Sequence, residues 1–276
     1  MLDDNFVDEW LFNLMLRREV LEDFEEPIRE LVRLCRNSNE FEVIAHTMEH
    51  LIVLTSNQLS GNLALMAKHI KENVDDGSPL AIVGMAWGES PDSSQAVVQS
   101  LKLKFRKHSN VKLFNSVPEY LKKTYIQEYP RFVLVDDFSG TGGTIEIRMK
   151  SIMNGAKSKG VEAIPHICLM FGMDKAHERV VETWPNTHFC NKIKAGISGH
   201  FDGEKLAETI ANMKRLEEEL APVIGEVNLP SFGHGESEAL FFIKGNNAPN
   251  SNFPIFWWPI DVANKDRHTI MERAEL

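Results

Sequence analysis

The chain has 276 residues, of which 43% are hydrophobic and 25% charged, and its formal net charge is −10. This charge argues against nucleic acid as the main ligand, and no apolar run approaches the roughly 18 residues needed to cross a bilayer. Three scattered cysteines (Cys35, Cys168 and Cys190) fit a reducing compartment. Because the acidic start MLDDNFVDEW is also unlike a signal peptide, we expect a cytoplasmic protein.

The first 75 residues predict a helical N-terminal unit. Apolar side chains recur there at the i, i+3, i+4 spacing of one helix face, namely at Phe6, Val7, Trp10, Leu11, Leu14 and Met15. A second helix is expected over residues 26–36. A third is expected over residues 41–73, with a break near Ser60 and Gly61.

After a turn at residues 75–79, short apolar runs alternate with stretches of helical periodicity. The runs predict strands over residues 80–84, 111–114, 131–135, 161–171 and 187–193. The stretches between them predict helices over residues 94–105, 118–128, 143–158 and 174–183. Such alternation predicts an α/β core over residues 76–200, with a mainly parallel central sheet, helices on both faces and right-handed crossovers.

Residues 201–276 predict a C-terminal helix and tail that cap this core. An acidic amphipathic helix is expected over residues 202–221, ending before Pro222. The tail that follows is rich in glycine, proline and asparagine. Its Trp257 and Trp258 are expected to pack in the interior.

The segment from Phe132 to Thr144 carries the functional argument. It reads FVLVDDFSGTGGT, an apolar strand followed by two acids and a small-residue loop that opens a helix. Backbone N–H groups at a helix N-terminus favour an anion, and the glycines allow a phosphate to approach the backbone. Two adjacent carboxylates at the end of the strand can accept hydrogen bonds from a vicinal diol, and ligands of open α/β sheets bind at that end.

This segment resembles the signature of type I phosphoribosyltransferases, which bind 5-phosphoribosyl-1-pyrophosphate. The resemblance implies that Asp136 and Asp137 hold the ribose hydroxyls and are the catalytic candidates. It assigns the 5′-phosphate to the loop residues Phe138, Ser139, Gly140, Thr141, Gly142, Gly143 and Thr144. Mg²⁺ is implied as the cofactor, bound through the substrate, with the two aspartates as the protein groups able to reach it.

A second loop is expected after the first sheet strand, where the family binds pyrophosphate. By position it comprises Met85, Ala86, Trp87, Gly88, Glu89 and Ser90. The loop has no lysine or arginine, and Glu89 would repel pyrophosphate unless a metal ion lay between them. This departure favours a module that has kept the fold but lost transfer activity.

Two further features indicate which kind of phosphoribosyltransferase this chain resembles. Hypoxanthine-type salvage enzymes have an aspartate in the phosphate loop, where this chain has Gly140, which disfavours purine salvage. The tail motifs Gly233-His-Gly235 and NAPNSNFPIFW, beginning at Asn247, resemble the C-terminal signature of a bacterial phosphoribosyltransferase-like family. That family is linked to conflict systems, including retron-type anti-phage operons.

Three functional hypotheses stay open at this point. The first is a pentosyltransferase of the phosphoribosyltransferase type, whose acceptor is a base, an amine, a nucleotide or water. The second is an inactive sensor of a phosphoribosyl metabolite. The third, from the resemblance alone, is a defence effector held by partner proteins through its helical N-terminus. A homo-oligomer is compatible with each hypothesis.

The segment His46-Thr-Met-Glu49-His50 matches the H-x-x-E-H pattern of inverted zinc peptidases. Two histidines at i, i+4 share a helix face. A zinc site also requires a third ligand and a cleft, which the sequence does not reveal. A solvated helix face is therefore the interpretation that the sequence favours.

Overall fold

The computed structural model describes residues 3–88 and 92–274. The α-helices are α1 (Asp4–Arg17), α2 (Glu25–Arg33), α3 (Ser38–His50), α4 (Ser56–Asn73), α5 (Ser93–Phe105), α6 (Val117–Tyr120), α7 (Lys123–Glu128), α8 (Gly143–Ser158), α9 (Asp174–Thr183) and α10 (Gly203–Glu217). The strands are β1 (Ile52–Leu54), β2 (Leu80–Gly84), β3 (Val111–Phe114), β4 (Arg131–Ser139), β5 (Ile164–Met173), β6 (Thr187–Ile193), β7 (Val223–Ile224), β8 (Val227–Asn228) and β9 (Phe241–Ile243). Among the described residues, no helix has the length and apolar character needed to span a membrane.

The chain forms two compact units. Residues 57–193 make up one of them, which we call the sheet unit. The other, called the terminal unit, combines residues 1–56 with residues 194–276. These boundaries differ from the expected division at residues 75 and 200, because α4 groups with the sheet and residues 194–200 group with the N-terminal helices. That residues 1–75, 76–200 and 201–276 act as separate domains stays a prediction.

The sheet unit is built on a five-stranded parallel sheet in the order β3-β2-β4-β5-β6. Every residue of β2 is buried, as is the stretch from Phe132 to Val135 in β4. Continuous apolar runs of this kind are expected when helices cover both faces of a parallel sheet. The α/β fold class predicted from the sequence is therefore confirmed.

Most elements of the sheet unit have the expected bounds, and two differences are informative. β4 extends to Ser139, beyond the expected end at residue 135, so both acids belong to the strand. The helix expected over residues 118–128 is divided into α6 and α7. Lys122 lies between them in an extended conformation, with φ −57° and ψ 136°.

The helix expected over residues 41–73, with a break near Ser60 and Gly61, is interrupted at a different place, because α3 ends at His50 and α4 runs unbroken from Ser56 to Asn73. The chain leaves the helical conformation at Leu51, forms β1, and becomes helical again at Ser56. β1 pairs in parallel with β9, which places Ile52 opposite Phe241. Helical periodicity on either side masked this strand, since its partner is almost two hundred residues away along the chain.

The tail contributes to the core of the terminal unit. Phe253, Phe256, Trp257 and Trp258 are buried, as expected for the two tryptophans, and pack in one cluster with apolar residues of α1, α2, α3 and α10. Trp257 Nε1 donates to the carbonyl of Asn252 at 3.0 Å, so its polar atom is satisfied in the interior. The aromatic tail is thus structural.

Candidate functional site

The candidate site lies where β2 and β4 end. These strands are parallel neighbours, and their register places Gly84 opposite Val135. The segments after both strands therefore begin at the same edge of the sheet. From β2 the chain goes to β3 on one side and then crosses to β4 on the other side, so the strand order reverses between β2 and β4. Open α/β sheets form a ligand crevice at such a point.

The two acids of β4 share a hydroxyl donor from the neighbouring helix. Ser93 Oγ donates to Asp137 Oδ1 at 2.8 Å and lies 3.4 Å from Asp136 Oδ1. The backbone N–H of Asp137 donates to Asp136 Oδ1 at 2.9 Å. Ser93 is the first residue of α5, which Asp92 caps. Sequence reasoning missed Ser93, although a hydroxyl at the start of the helix after β2 was a usable signal.

The carboxylates of the pair are electrostatically strained. Loss of solvent raises the pKa of Asp136 well above its usual range, and the negative charges of Asp137 and Asp92 raise it further. Loss of solvent also raises the pKa of Asp137, although the hydrogen bond from Ser93 opposes this shift. No salt bridge within residues 3–88 and 92–274 neutralises either carboxylate. A cation or added hydroxyl donors would therefore stabilise the pair.

The loop after β4 forms a tight turn into α8. Ser139 is buried, and its Oγ accepts a hydrogen bond from the N–H of Gly142 at 3.2 Å. Thr141 Oγ1 lies 3.4 Å from the N–H of Gly143. These hydroxyl oxygens hold the turn, and each hydroxyl retains a hydrogen to donate. Thr144 is exposed, and the first N–H groups of α8 have no acceptor within the helix.

Gly142 is required where this turn approaches α9. Its φ is +78°, and a Cβ there would lie 2.8 Å from Val180 Cγ2 and 3.3 Å from the carbonyl oxygen of Ala176. A Cβ on Gly143 would meet Thr141 Oγ1 at 3.6 Å, an ordinary contact. The two glycines therefore have different roles, which their sequence does not distinguish.

An ion pair flanks the turn. Glu146, in the first turn of α8, accepts from Arg179 Nε at 2.7 Å and from Arg179 Nη2 at 3.0 Å. Hydrogen bonding from Arg179 is the main cause that lowers the pKa of Glu146. Arg179 Nη1 also lies 3.4 Å from the carbonyl oxygen of Thr141. Arg179 thus offsets an acid that would otherwise repel an anion at the turn, and sequence reasoning missed both residues.

The loop after β2 receives a guanidinium from α8. Arg148 Nε donates to the carbonyl of Met85 at 2.9 Å, and the guanidinium lies 5.0 Å from the ring centroid of Trp87. Met85 and Ala86 are buried, and Trp87 is 44% exposed. Glu89 and Ser90 of the expected pyrophosphate loop lie outside the described residues. The loop has no basic residue of its own, yet the fold brings Arg148 to it.

The sheet order, the acid pair and the turn into α8 are consistent with an α/β protein of the phosphoribosyltransferase type. The model of the family PRTase-CE matches residues 7–273, and the chain belongs to this family of phosphoribosyltransferase-like proteins of conflict systems. A search of curated proteins found no match. Among solved structures, the chain resembles that of the AQ2163 protein from Aquifex aeolicus, with 12% identity and a TM-score of 0.34, covering 58% of this chain and 86% of that one. That likeness is too weak to carry an argument.

The turn before α8 generates a first prediction. Gly142→Ala should lower the free energy of unfolding by about 1–2 kcal/mol, because alanine is strained at positive φ and its methyl group would contact Val180. Gly143→Ala is the matched control and should change stability by less than about 0.5 kcal/mol. Chemical denaturation of both variants measures the difference. Equal stabilities would contradict the assigned role of Gly142.

The acid pair generates a second prediction. Asp136→Asn should raise the melting temperature of the ligand-free protein at pH 7 by about 2–4 °C, the shift that roughly 1 kcal/mol produces in a domain of this size. An acid whose pKa is higher in the folded state destabilises the fold as pH rises above its unfolded pKa of about 3.9. The gain should therefore be larger at pH 7 than at pH 4.

Thermal denaturation at both pH values tests this prediction. Glu162→Gln, an exposed substitution just before the first residue of β5, should leave the melting temperature unchanged at either pH. An Asp136→Asn variant that is less stable than the natural protein at pH 7 would show that the carboxylate is not strained.

Proposed function

We propose that the protein binds 5-phosphoribosyl-1-pyrophosphate, or a related phosphoribosyl nucleotide, with Mg²⁺ and carries out transfer or cleavage at ribose C1. One observation carries this proposal: an acid pair with raised pKa values adjoins a helix N-terminus, beside a second loop served by Arg148. Diol, phosphate and pyrophosphate then each have a complementary group at one edge of the sheet.

The 5′-phosphate is assigned to residues 138–144. A dianion on this turn would accept hydrogen bonds from the N–H groups that α8 cannot satisfy, and the helix dipole would favour its charge. Thr144 is exposed at this turn and can add a hydroxyl donor. The ion pair between Glu146 and Arg179 keeps the flank of the turn from repelling the phosphate.

The ribose diol is assigned to Asp136 and Asp137. Hydrogen bonds from two ribose hydroxyls would replace part of the solvation whose loss raises the pKa of both carboxyls. The carboxylates of Asp136 and Asp137 also suit Mg²⁺, which prefers oxygen ligands. Bound Mg²⁺ would supply positive charge that stabilises a departing pyrophosphate.

The pyrophosphate is assigned to the loop from Met85 to Ser90, with Arg148 as its cationic partner. Arg148 uses Nε for the carbonyl of Met85, and its terminal nitrogens form the fork that suits a phosphate. This contact answers the sequence-based objection that the loop has no basic residue. It removes one argument for a module that only senses a metabolite.

Release of pyrophosphate separates these two possibilities. With Mg²⁺ and phosphoribosyl pyrophosphate, a transferase should release pyrophosphate when a base, an amine or a nucleotide is supplied, or with water alone. A sensor should bind the same ligand and release none. Positioning of two reactants accounts for most of the expected rate enhancement, because the site offers few groups for acid–base chemistry.

Substitution of Asp137 tests the ribose assignment. Asp137→Asn should weaken binding of phosphoribosyl pyrophosphate with Mg²⁺ about ten- to a hundredfold, since hydrogen bonds to a charged group contribute roughly 1.5–3 kcal/mol. Calorimetric titration measures the change. Glu162→Gln is the matched carboxylate control, because it lies before β5 at the opposite edge of the sheet and should bind as the natural protein does. Unchanged binding by Asp137→Asn would remove the proposed role.

Substitution of Arg148 tests the pyrophosphate assignment. Arg148→Met should weaken binding of phosphoribosyl pyrophosphate about ten- to a hundredfold and change binding of ribose 5-phosphate less than about twofold. Lys157→Met removes an exposed charge near the other end of the same helix and should change neither affinity. Equal losses for both ligands would mean that Arg148 acts on the turn or the ribose instead.

Membership of the PRTase-CE family supports a role for this chemistry as an effector in bacterial anti-phage defence, restrained by protein partners that bind the helical N-terminus. Expression without its genomic neighbours should then arrest growth, and Asp137→Asn should relieve the arrest. Normal growth on expression of the natural chain would argue for a role outside defence.

A further inference from the structure

Three histidine side chains converge in the terminal unit, outside the site described above. His46 and His50 lie one turn apart on α3, and His200 precedes α10. One ring nitrogen from each histidine lies within 4.8 Å of the others. The fold therefore supplies the third ligand that the H-x-x-E-H sequence lacked, from a position 150 residues further along the chain.

Backbone carbonyls orient two of these rings. His46 Nε2 lies 2.9 Å from the carbonyl oxygen of Gly196, and His50 Nδ1 lies 2.8 Å from the carbonyl oxygen of His46. Since a carbonyl can only accept, each of these nitrogens carries the hydrogen. The lone pairs that remain are on Nδ1 of His46 and Nε2 of His50. Histidines that bind metals characteristically donate their second nitrogen in this way.

The surroundings of two rings favour their uncharged form. Loss of solvent lowers the pKa of His46 and of His200, and the neighbouring His50 lowers both further. Lys194 also lowers the pKa of His200. A lowered pKa favours the uncharged form of imidazole, which is the form that binds a metal.

The adjacent Glu49 does not complete a peptidase centre. Its carboxylate forms an ion pair with Arg17 of α1, so it is committed to a cation within the same unit. Phe201 packs its ring on His46 at a centroid distance of 4.6 Å, which limits water on that side. These surroundings favour a structural metal ion over a hydrolytic metal centre.

We propose that His46, His50 and His200 bind one divalent transition metal ion, Zn²⁺ or an ion of similar ligand preference, which clips α3 to the segment before α10. Zn–N bonds of about 2.0–2.1 Å place tetrahedral ligands about 3.3–3.4 Å apart. His50 and His200 are exposed, so their side chains have room to move toward that spacing. A water molecule, or a donor from a partner, takes the fourth position, and imidazole ligands select against Mg²⁺.

Titration of the full-length protein, prepared without a polyhistidine tag, tests the site. Zn²⁺ competed against a chromophoric chelator should bind at one equivalent per chain and raise the melting temperature. Co²⁺ in place of Zn²⁺ should give the intense visible absorption of tetrahedral coordination. His200→Ala should weaken Zn²⁺ binding at least tenfold and abolish both the thermal shift and the cobalt spectrum.

His234→Ala is the matched control, because His234 is exposed in the same unit and stands apart from the cluster. It should bind Zn²⁺ as the natural chain does. His50→Ala provides a second variant in the cluster and should reproduce the loss seen with His200→Ala. Equal losses in His234→Ala and His200→Ala, or no binding by the natural chain at micromolar Zn²⁺, would overturn the proposal.

Discussion

Parallel pairing of β2 with β4 is the constraint on which the candidate site depends. Because Gly84 lies opposite Val135, the loop after β2 begins beside the acids of β4, about fifty residues further along the chain. The same pairing explains why Ser93, which follows the loop after β2, reaches the acids of β4. Gly84 itself tolerates no larger residue, since a Cβ there would lie 2.9 Å from the carbonyl oxygen of Asn115. The position of the site is thus set by the strand register more than by the sequence of either loop.

The site places negatively charged groups close to positively charged ones. The acids of β4 repel one another, whereas the turn into α8 and Arg148 present positive charge. A ligand with a cation-binding pyrophosphate, a diol and a terminal phosphate would satisfy both regions at once. Within the described residues no ion pair neutralises the acids of β4, a pattern found where proteins trade stability for binding.

Local patterns predicted the part of the structure that depends on local sequence. The strand, acids, glycine turn and helix from Phe132 to Ser158 follow from periodicity and backbone chemistry within one segment. β1 was missed because its partner is β9, and Arg148 and Arg179 were missed because their positions depend on helix packing. His200 belongs to the same class, since helical spacing brings together His46 and His50 only. Contacts between residues that are distant in sequence cannot be predicted from the local pattern of one chain.

The discontinuity of the terminal unit has a consequence for synthesis. Its first 56 residues leave the ribosome well before residues 194–276, which supply β9 and the aromatic part of the shared core. Until then, the apolar faces of α1, α2 and α3 lack the part of the core that residues 194–276 supply, while residues 57–193 can already collapse on their own sheet. Nascent chains of this kind depend on chaperones or on rapid completion to escape aggregation. Translation that stalled near residue 200 would therefore leave a folded sheet attached to an N-terminal segment with exposed apolar side chains.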